Sequence, residues 1–371
     1  MNLKSTALVA IALLMAACGG NDEPAAAVEP QVDAGEALHA LFDEHFERGL
    51  EMSPLSATFI GDNRFNDRLS HFASQEFRDD AEAMDREFLE RLLEIDRAQL
   101  NYQDQLSYDI FKIDREESLE GNQFPGHLQP INQFRNMMNF FVQLGSGASA
   151  HPFKTVKDYD DWLSRVDDAI INTDFMIENM QEGMRQGIVQ PRILMEKVIP
   201  QLDSQIVDDI TQSAFYKPIV NMPDEFSEDD RARLTAAFED KIANAIIPAY
   251  ARLNNFIGDE YLSSARETVG LYALPNGNDW YAYNVRTITT TDMSPEEIHQ
   301  IGLDEVARIH GEMHSVMEEV GFDGDLKEFF EFVNTDPQFF FDEPEQLIQG
   351  YRDMADHINE LAKDLFDVFP N

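Results

Sequence analysis

Apolar residues recur every three or four positions along most of this chain, which is the spacing of one face of an α-helix. The pattern covers positions 35–50 and 74–95 and runs longest over 155–187. Shorter or weaker stretches of the same spacing lie at 106–111, 137–144, 193–206, 227–257, 294–320, 325–332 and 345–369. The sequence therefore predicts an all-α fold, with one helical domain over 34–371.

Local signals mark where several of these helices begin and end. Ser294, Pro295 and Glu297 form a capping box with proline at the first helical position. Gly187 follows the longest apolar pattern and is a predicted C-terminal cap. Pro248 lies inside the 227–257 stretch and predicts a kink there.

Signals for β-structure are weak and lie in one place. Positions 267–273 and 285–291 are enriched in Thr, Val and Tyr, and a turn sequence, Pro275-Asn276-Gly277-Asn278, lies between them. Two such runs around a turn favour a small hairpin, so one β-hairpin near 267–291 is an open expectation within the helical fold.

The N-terminus has the order of a secretory signal. One lysine precedes an apolar run, and small residues then lead to Cys18, the only cysteine of the chain. This ending resembles a bacterial lipobox, which predicts a signal peptide over 1–17 and lipidation of Cys18; the alternative is an ordinary secretory signal with an accidental cysteine. Positions 18–33 are rich in Ala, Gly, Pro and acidic residues, as in a flexible tether. Because Gly19 follows the cysteine, we expect an outer-membrane lipoprotein that faces the periplasm.

The charge of the chain restricts its partners. Seventy Asp and Glu stand against 28 Lys and Arg among 371 residues, a formal net charge of −42. Such a surface repels phosphate backbones and anionic headgroups, which argues against nucleic-acid binding. Membrane contact is therefore expected only through the lipid anchor.

One histidine pair has the spacing of metal ligands. His310 and His314 lie four residues apart on a predicted helix, as in zinc motifs. Glu312, however, points about 200° away from His310 at 100° per residue, so it cannot serve a metal held by the pair. His299 and His310 fall in the apolar stripe and are interpreted as half-buried structural residues; the alternative is a metal site.

Several segments together resemble the bacterial family called domain of unknown function 885. They are PLSATFIGD at 54–62, LSYDIF at 106–111, PINQ at 130–133, the stretch 152–165, GMRQG at 183–187 with the following Pro191-Arg192, and TTTDMSPEEIHQIGL at 289–303. Members of this family are often predicted lipoproteins, and their fold resembles that of helical zinc peptidases. The resemblance thus implies the N-terminal portion of a zincin-like fold.

The activity implied by this resemblance is zinc-dependent peptide hydrolysis. Its His-Glu-x-x-Pro-Gly-His motif is absent here: Pro125-Gly126-His127 matches the tail, but Gly121 and Asn122 stand where His and Glu belong. The resemblance places the motif C-terminal to Asn371, so no catalytic residue, metal ligand or cofactor is assigned to this chain, while zinc is expected for full-length members. We therefore expect the substrate-cleft portion of a peptidase, inactive by itself; the alternatives are a non-catalytic lipoprotein that binds peptides or a partner, and an unrelated helical scaffold.

An aromatic segment offers a candidate peptide-binding surface. Trp280, Tyr281, Tyr283 and Arg286 follow the Asn276-Gly277 turn within ten residues. Aromatic rings and a guanidinium suit an extended peptide and its carboxylate, so we predict that Tyr283 and Arg286 line a substrate cleft. The alternative is that the cluster is part of the hydrophobic core.

Overall fold

The computed structural model describes residues 33–368, and the regular elements in that part of the chain are helices. The α-helical elements are α1 (Ala34–Met52), α2 (Pro54–Phe59), α3 (Gln75–Leu93), α4 (Tyr102–Gly121), α5 (Met137–Gly145), α6 (Val156–Gln186), α7 (Arg192–Asp203), α8 (Lys217–Val220), α9 (Glu228–Lys241), α10 (Ile247–Asn255), α11 (Leu262–Ser264), α12 (Gly277–Thr289), α13 (Pro295–Glu319), α14 (Leu326–Thr335) and α15 (Pro344–Ala362). The predicted all-α class is confirmed. The predicted signal peptide, Cys18 and nearly all of the predicted tether lie outside the described residues.

The predicted hairpin near 267–291 is wrong, because its second half is helix α12. The turn itself exists: Asn276 has a φ of 53°. Its carbonyl then accepts a hydrogen bond from the N–H of Trp280 at 3.1 Å, so the turn opens a helix rather than a second strand. Inside α12 the hydroxyl of Thr289 donates to the carbonyl of Val285 at 2.7 Å. This bond accommodates a β-branched residue in a helix, so local β-propensity did not decide the structure.

Predicted helix ends agree with the caps in the structure. The hydroxyl of Thr155 accepts from the N–H of Asp158 at 3.3 Å, and the carboxylate of Asp158 accepts from the N–H of Thr155, which starts α6 with a capping box. Gly187 ends that helix with a φ of 73°. Ser294 and Glu297 form the predicted capping box of α13.

The described residues divide into two compact units, the first ending at Tyr281 and the second beginning at Ala282. In the first unit, a small hydrophobic cluster joins α1, α3 and α4. A larger cluster surrounds α6, which contributes Tyr159, Trp162, Val166, Met176 and Met180. The core of this unit is therefore built around one central helix.

A continuous helical segment from α9 to α11 packs against that core and contains two π-helical stretches, Ile242–Ile246 and Phe256–Tyr261. Its buried residues at first recur every four positions: Leu234, Phe238, Ile242, Ile246 and Tyr250. At 3.6 residues per turn this spacing would rotate each buried residue by about 40° relative to the last. The wider π turns reduce that rotation and keep the apolar residues on one face. Pro248 lies two residues after the end of the first stretch, where its missing N–H is accommodated.

The second unit consists of the end of α12 and helices α13 to α15. Phe322 contacts Phe329 and Phe332, with ring centroids 5.1 and 5.2 Å apart. Met317 is the one buried residue in the described part of this unit, 282–368. Its helices therefore expose most of their apolar residues.

Candidate functional site

Two segments that carry the family resemblance, 54–62 and 152–165, meet at the buried side chain of Arg165 on α6. Its guanidinium donates to the hydroxyl of Thr58 at 2.5 Å and to Oδ1 of Asn66 at 3.2 Å. It also donates to the carbonyl of Arg68 at 3.1 Å. Among the described residues its hydrogen-bond acceptors are uncharged, and burial lowers the pKa of Arg165 to about 10. This side chain attaches the turn after α2 to the central helix.

His151 completes this network from the loop before α6. Its Nδ1 accepts from Nη1 of Arg165 at 3.1 Å, and its Nε2 donates to the carbonyl of Asp158 at 2.9 Å. These partners assign the proton of the neutral ring to Nε2. Burial, reinforced by the charge of Arg165, lowers the pKa of His151 to about 4. The segments 54–62 and 152–165, which carry the family resemblance, therefore contribute to the stability of the fold around Arg165.

The burial of Arg165 was not predicted from the sequence, although a signal was present. Trp162, Val166 and Ala169 are buried neighbours on α6 at helical spacing, and Arg165 belongs to the same stripe. A charged residue in an apolar stripe indicates a buried polar network. The pattern could have revealed its burial, but not its partners in the distant 54–68 segment.

Close packing marks the start of α12, the helix that carries the predicted cleft residues. A Cβ at Gly277 would overlap the carbonyl oxygen of Leu271, so only glycine fits between the preceding turn and the helix. Arg266 holds the loop before this turn by donating to the carbonyls of Thr268 at 2.6 Å and Gly270 at 2.8 Å. The start of α12 is thus packed tightly against the loop that precedes it.

Tyr283 and Arg286 form a pair on α12. The guanidinium carbon of Arg286 lies 5.7 Å from the centroid of the Tyr283 ring, and both side chains are half-buried. A cation–π contact of this kind restricts the arginine to the aromatic face. The structure therefore brings together the two residues predicted to line a cleft.

Trp280 belongs to the packing of the first unit. Its ring stacks on Phe124, with centroids 5.9 Å apart and planes inclined by 10°, and Gly126 lies against it. The Pro-Gly segment that mimics the tail of the zinc motif is therefore a packing surface for Trp280. For this aromatic residue, packing against Phe124 and Gly126 is a better interpretation than a peptide-binding surface.

The structure places the predicted histidine pair on the surface of α13. His299, His310 and His314 are exposed, so the interpretation of His299 and His310 as half-buried residues was wrong. Glu312 accepts a hydrogen bond from Arg308 at 2.6 Å. Within residues 33–368 no group of three or more His, Cys, Asp or Glu side chains is arranged to hold a metal ion.

Comparison with protein-family models shows the family to which the chain belongs. The family model described as "Bacterial protein of unknown function (DUF885)" matches residues 54–371. The chain belongs to the DUF885 family. The match contains all of the segments on which the sequence resemblance was based.

The fold is similar to that of a solved protein, the "putative lipoprotein" from Colwellia psychrerythraea. The two structures superimpose with a TM-score of 0.75 at 20% sequence identity, over 91% of this chain and 60% of that chain. At this identity the likeness is one of fold. This DUF885 chain thus spans about three fifths of the length of the solved protein.

No curated protein matches the chain. In the part of the chain that the structure describes, no helix combines the length and the apolar character needed to cross a membrane.

Proposed function

We propose that this DUF885 protein is the substrate-cleft portion of a peptidase-like lipoprotein of the periplasm, and that it binds peptides without hydrolysing them by itself. The observation that carries the proposal is the half-buried Tyr283–Arg286 pair on α12. The chain superimposes on about three fifths of a solved protein, and this supports the proposal that it is a portion of a larger fold.

The proposed location depends on Cys18 and on the name of the solved neighbour. If Cys18 is lipidated, the full chain sediments with membranes and is held at the outer membrane. Replacing Cys18 by Ser should release the protein from the membrane fraction or block its maturation. Equal membrane association of the variant would contradict this part of the proposal.

Peptide binding follows from the chemistry of the pair. The ring of Tyr283 offers an apolar face to an extended peptide, while the guanidinium has five N–H donors that suit a carboxylate. The net charge of −42 attracts cationic peptides and increases their rate of association. The favoured ligand is therefore a basic peptide with a free C-terminal carboxylate.

Zinc does not fit the residues that the structure describes. A catalytic zinc takes three protein ligands, whereas α13 offers two exposed imidazoles one turn apart. The Nδ1 atom of His314 also donates to the carbonyl of His310 at 2.6 Å. The proposal therefore assigns binding to this chain and derives no hydrolytic step from it.

A binding experiment with two peptides tests the proposal. The probes are a fluorescent Lys- and Ala-containing octapeptide with a free C-terminal carboxylate and the same peptide with a C-terminal amide. Arg286→Ala should weaken binding of the carboxylate form about tenfold, because a hydrogen bond to a charged group contributes about 1.5 to 3 kcal/mol. Binding of the amide form should change little, and Arg286→Lys should restore part of the loss.

Arg233→Ala is the matched control, since it removes an equally charged, exposed residue that pairs with Asp160. It should leave the preference for the carboxylate form unchanged. Equal binding of both peptides to the native chain would contradict the proposed site.

A second experiment separates binding from hydrolysis. The full chain incubated with zinc and the same peptide should release no fragments, as followed by mass spectrometry. Cleavage that disappears in His310→Ala would establish a zinc peptidase within this chain and overturn the proposal.

A further inference from the structure

The helices of the second unit are amphipathic, but their apolar stripes are exposed. On α13, Val306, Ile309 and Val316 are 53%, 38% and 47% exposed. On α15, Tyr351, Met354 and Ile358 are 67%, 59% and 55% exposed. These residues recur at intervals of three, four or seven positions, so each helix presents one apolar face.

This exposure is unusual for a unit of this size. The two hydrophobic clusters of the described chain lie between Leu38 and Tyr261, and Met317 is the one buried residue over 282–368. In proteins most of the stability of a helix comes from packing of its apolar face against a partner. Exposed apolar faces of this kind mark interaction sites.

The charge around the stripes selects the kind of partner. Residues 282–368 contain 21 Asp and Glu against 5 Lys and Arg. A second copy would bring the same negative charge to the interface, and an anionic membrane would repel it. A partner with Lys and Arg beside its apolar face complements this surface.

We propose that the exposed apolar faces of α13 and α15 are a docking surface for a helical polypeptide whose apolar face is flanked by Lys and Arg. A docked helix buries the stripe that it contacts, and its cations face the acidic residues beside that stripe. This inference goes beyond peptide binding at Arg286, because it uses different residues and a helical rather than an extended ligand.

A designed helical peptide of about 20 residues tests the proposal on the full chain. It has Leu and Ala on one face and Lys beside that face; one comparison peptide has Glu in place of Lys, and a second has the same composition in scrambled order. The Lys peptide should bind and slow amide hydrogen exchange in α13 and α15. The Glu peptide should bind at least tenfold more weakly, and the scrambled peptide should give no protection.

Variants on the two faces of the helices separate apolar docking from simple charge attraction. Val306→Asp and Ile358→Asp add negative charge, yet should weaken binding of the Lys peptide at least tenfold. Glu318→Gln and Asp356→Asn, exposed on the same two helices, should change binding less than threefold. Unchanged binding in Val306→Asp and Ile358→Asp would overturn the proposal, since attraction by charge alone would then explain it.

Two other occupants are tested directly. Sedimentation of the free chain should show a monomer, and vesicles of zwitterionic or anionic lipid should not bind the chain after Cys18→Ser. Self-association or vesicle binding that is lost in Ile358→Asp would overturn the proposal in favour of that occupant. Arg286→Ala should leave binding of the Lys helix unchanged, so failure of the docking surface and failure of the peptide cleft are distinguishable.

Discussion

Nη1 of Arg165 donates a hydrogen bond to Nδ1 of His151 at 3.1 Å, and both side chains are buried. A guanidinium has only donors, so this bond requires an unprotonated Nδ1 on the imidazole. Protonation of His151 would turn an acceptor into a second donor and place two positive charges side by side. The contact therefore links the stability of the first unit to pH.

We predict that the free energy of unfolding falls as pH decreases from about 6.5 towards 4. The pKa of His151 is lowered by burial to about 4, so between these values the unfolded chain binds a proton that the folded chain does not. The contribution is fully present above the unfolded pKa and is lost as pH falls; a shift of this size corresponds to about 3 kcal/mol. In urea unfolding of His151→Asn, the free energy of unfolding should lose the part of its pH dependence that His151 contributes over this range.

His39 provides a control of opposite sign. Its Nε2 lies 2.8 Å from Oδ1 of Asp104, and this hydrogen bond, together with the charge of Asp104, raises the pKa of His39. Its contribution is present below the unfolded pKa and is lost as pH rises through the folded pKa. His39→Asn should therefore destabilise the protein mainly at low pH. The same slope change in both variants would contradict the assignment to His151.

Replacement of Arg165 by Met should destabilise the first unit by about 3 kcal/mol or more. The substitution removes several hydrogen bonds at once, leaves the buried hydroxyl oxygen of Thr58 without the guanidinium donor, and leaves Oδ1 of Asn66 only its hydrogen bond from Thr58. Arg165→Lys keeps the charge but loses the planar fork, so it should recover only part of the stability. A loss below about 1 kcal/mol in urea unfolding of Arg165→Met would show that the network is replaceable.

Gly145→Ala should destabilise the protein although alanine favours helices. A Cβ at Gly145 would lie 2.6 Å from Cδ1 of Phe215 and would also overlap the ring of Trp162, both of which are buried. Overpacking of this kind costs about 1 to 3 kcal/mol. Gly49→Ala on α1, where no atom lies within 4 Å of the new Cβ, should instead stabilise by about 0.5 to 1 kcal/mol. Thermal melting of the two variants should give shifts of opposite sign.

Thr290→Gly should stabilise the junction between α12 and α13. Thr290 has a φ of 55°, a conformation that costs a β-branched residue about 1 to 2 kcal/mol. Glycine removes that strain, whereas Thr287→Gly within α12 should destabilise the helix. Amide hydrogen exchange over 286–298 measures both effects locally. Faster exchange in Thr290→Gly would mean that the threonine side chain contributes more than its backbone costs.

The sequence predicted those features that depend on neighbouring residues. The capping box of Ser294 and Glu297 and the cap at Gly187 are local hydrogen-bonding patterns, so the spacing of residue types is enough to identify them. The Asn276-Gly277 turn was also correct, but not the strand expected after it. A turn sequence does not determine whether a strand or a helix follows it, and here the next element is the helix α12.

Burial depends on distant partners, and here the sequence was a poorer guide. Leu106 and Ile110 on α4 lie on a predicted apolar face, yet they are 39% and 69% exposed, while Tyr108 is buried. For the candidate site, the pairing of Tyr283 with Arg286 follows from helical spacing once α12 is a helix. The stacking of Trp280 on Phe124 joins residues more than 150 positions apart and has no local signal.

The uneven distribution of buried residues determines what an unfolding experiment on this chain can detect. Denaturant dependence and the heat-capacity change both scale with the surface exposed on unfolding. In the described chain most of that surface belongs to the first unit, since Met317 is the one buried residue over 282–368. A global melting curve therefore measures the network around Arg165 and responds little to substitutions on α13 or α15. The effects of those substitutions become measurable only when a ligand covers the two helices.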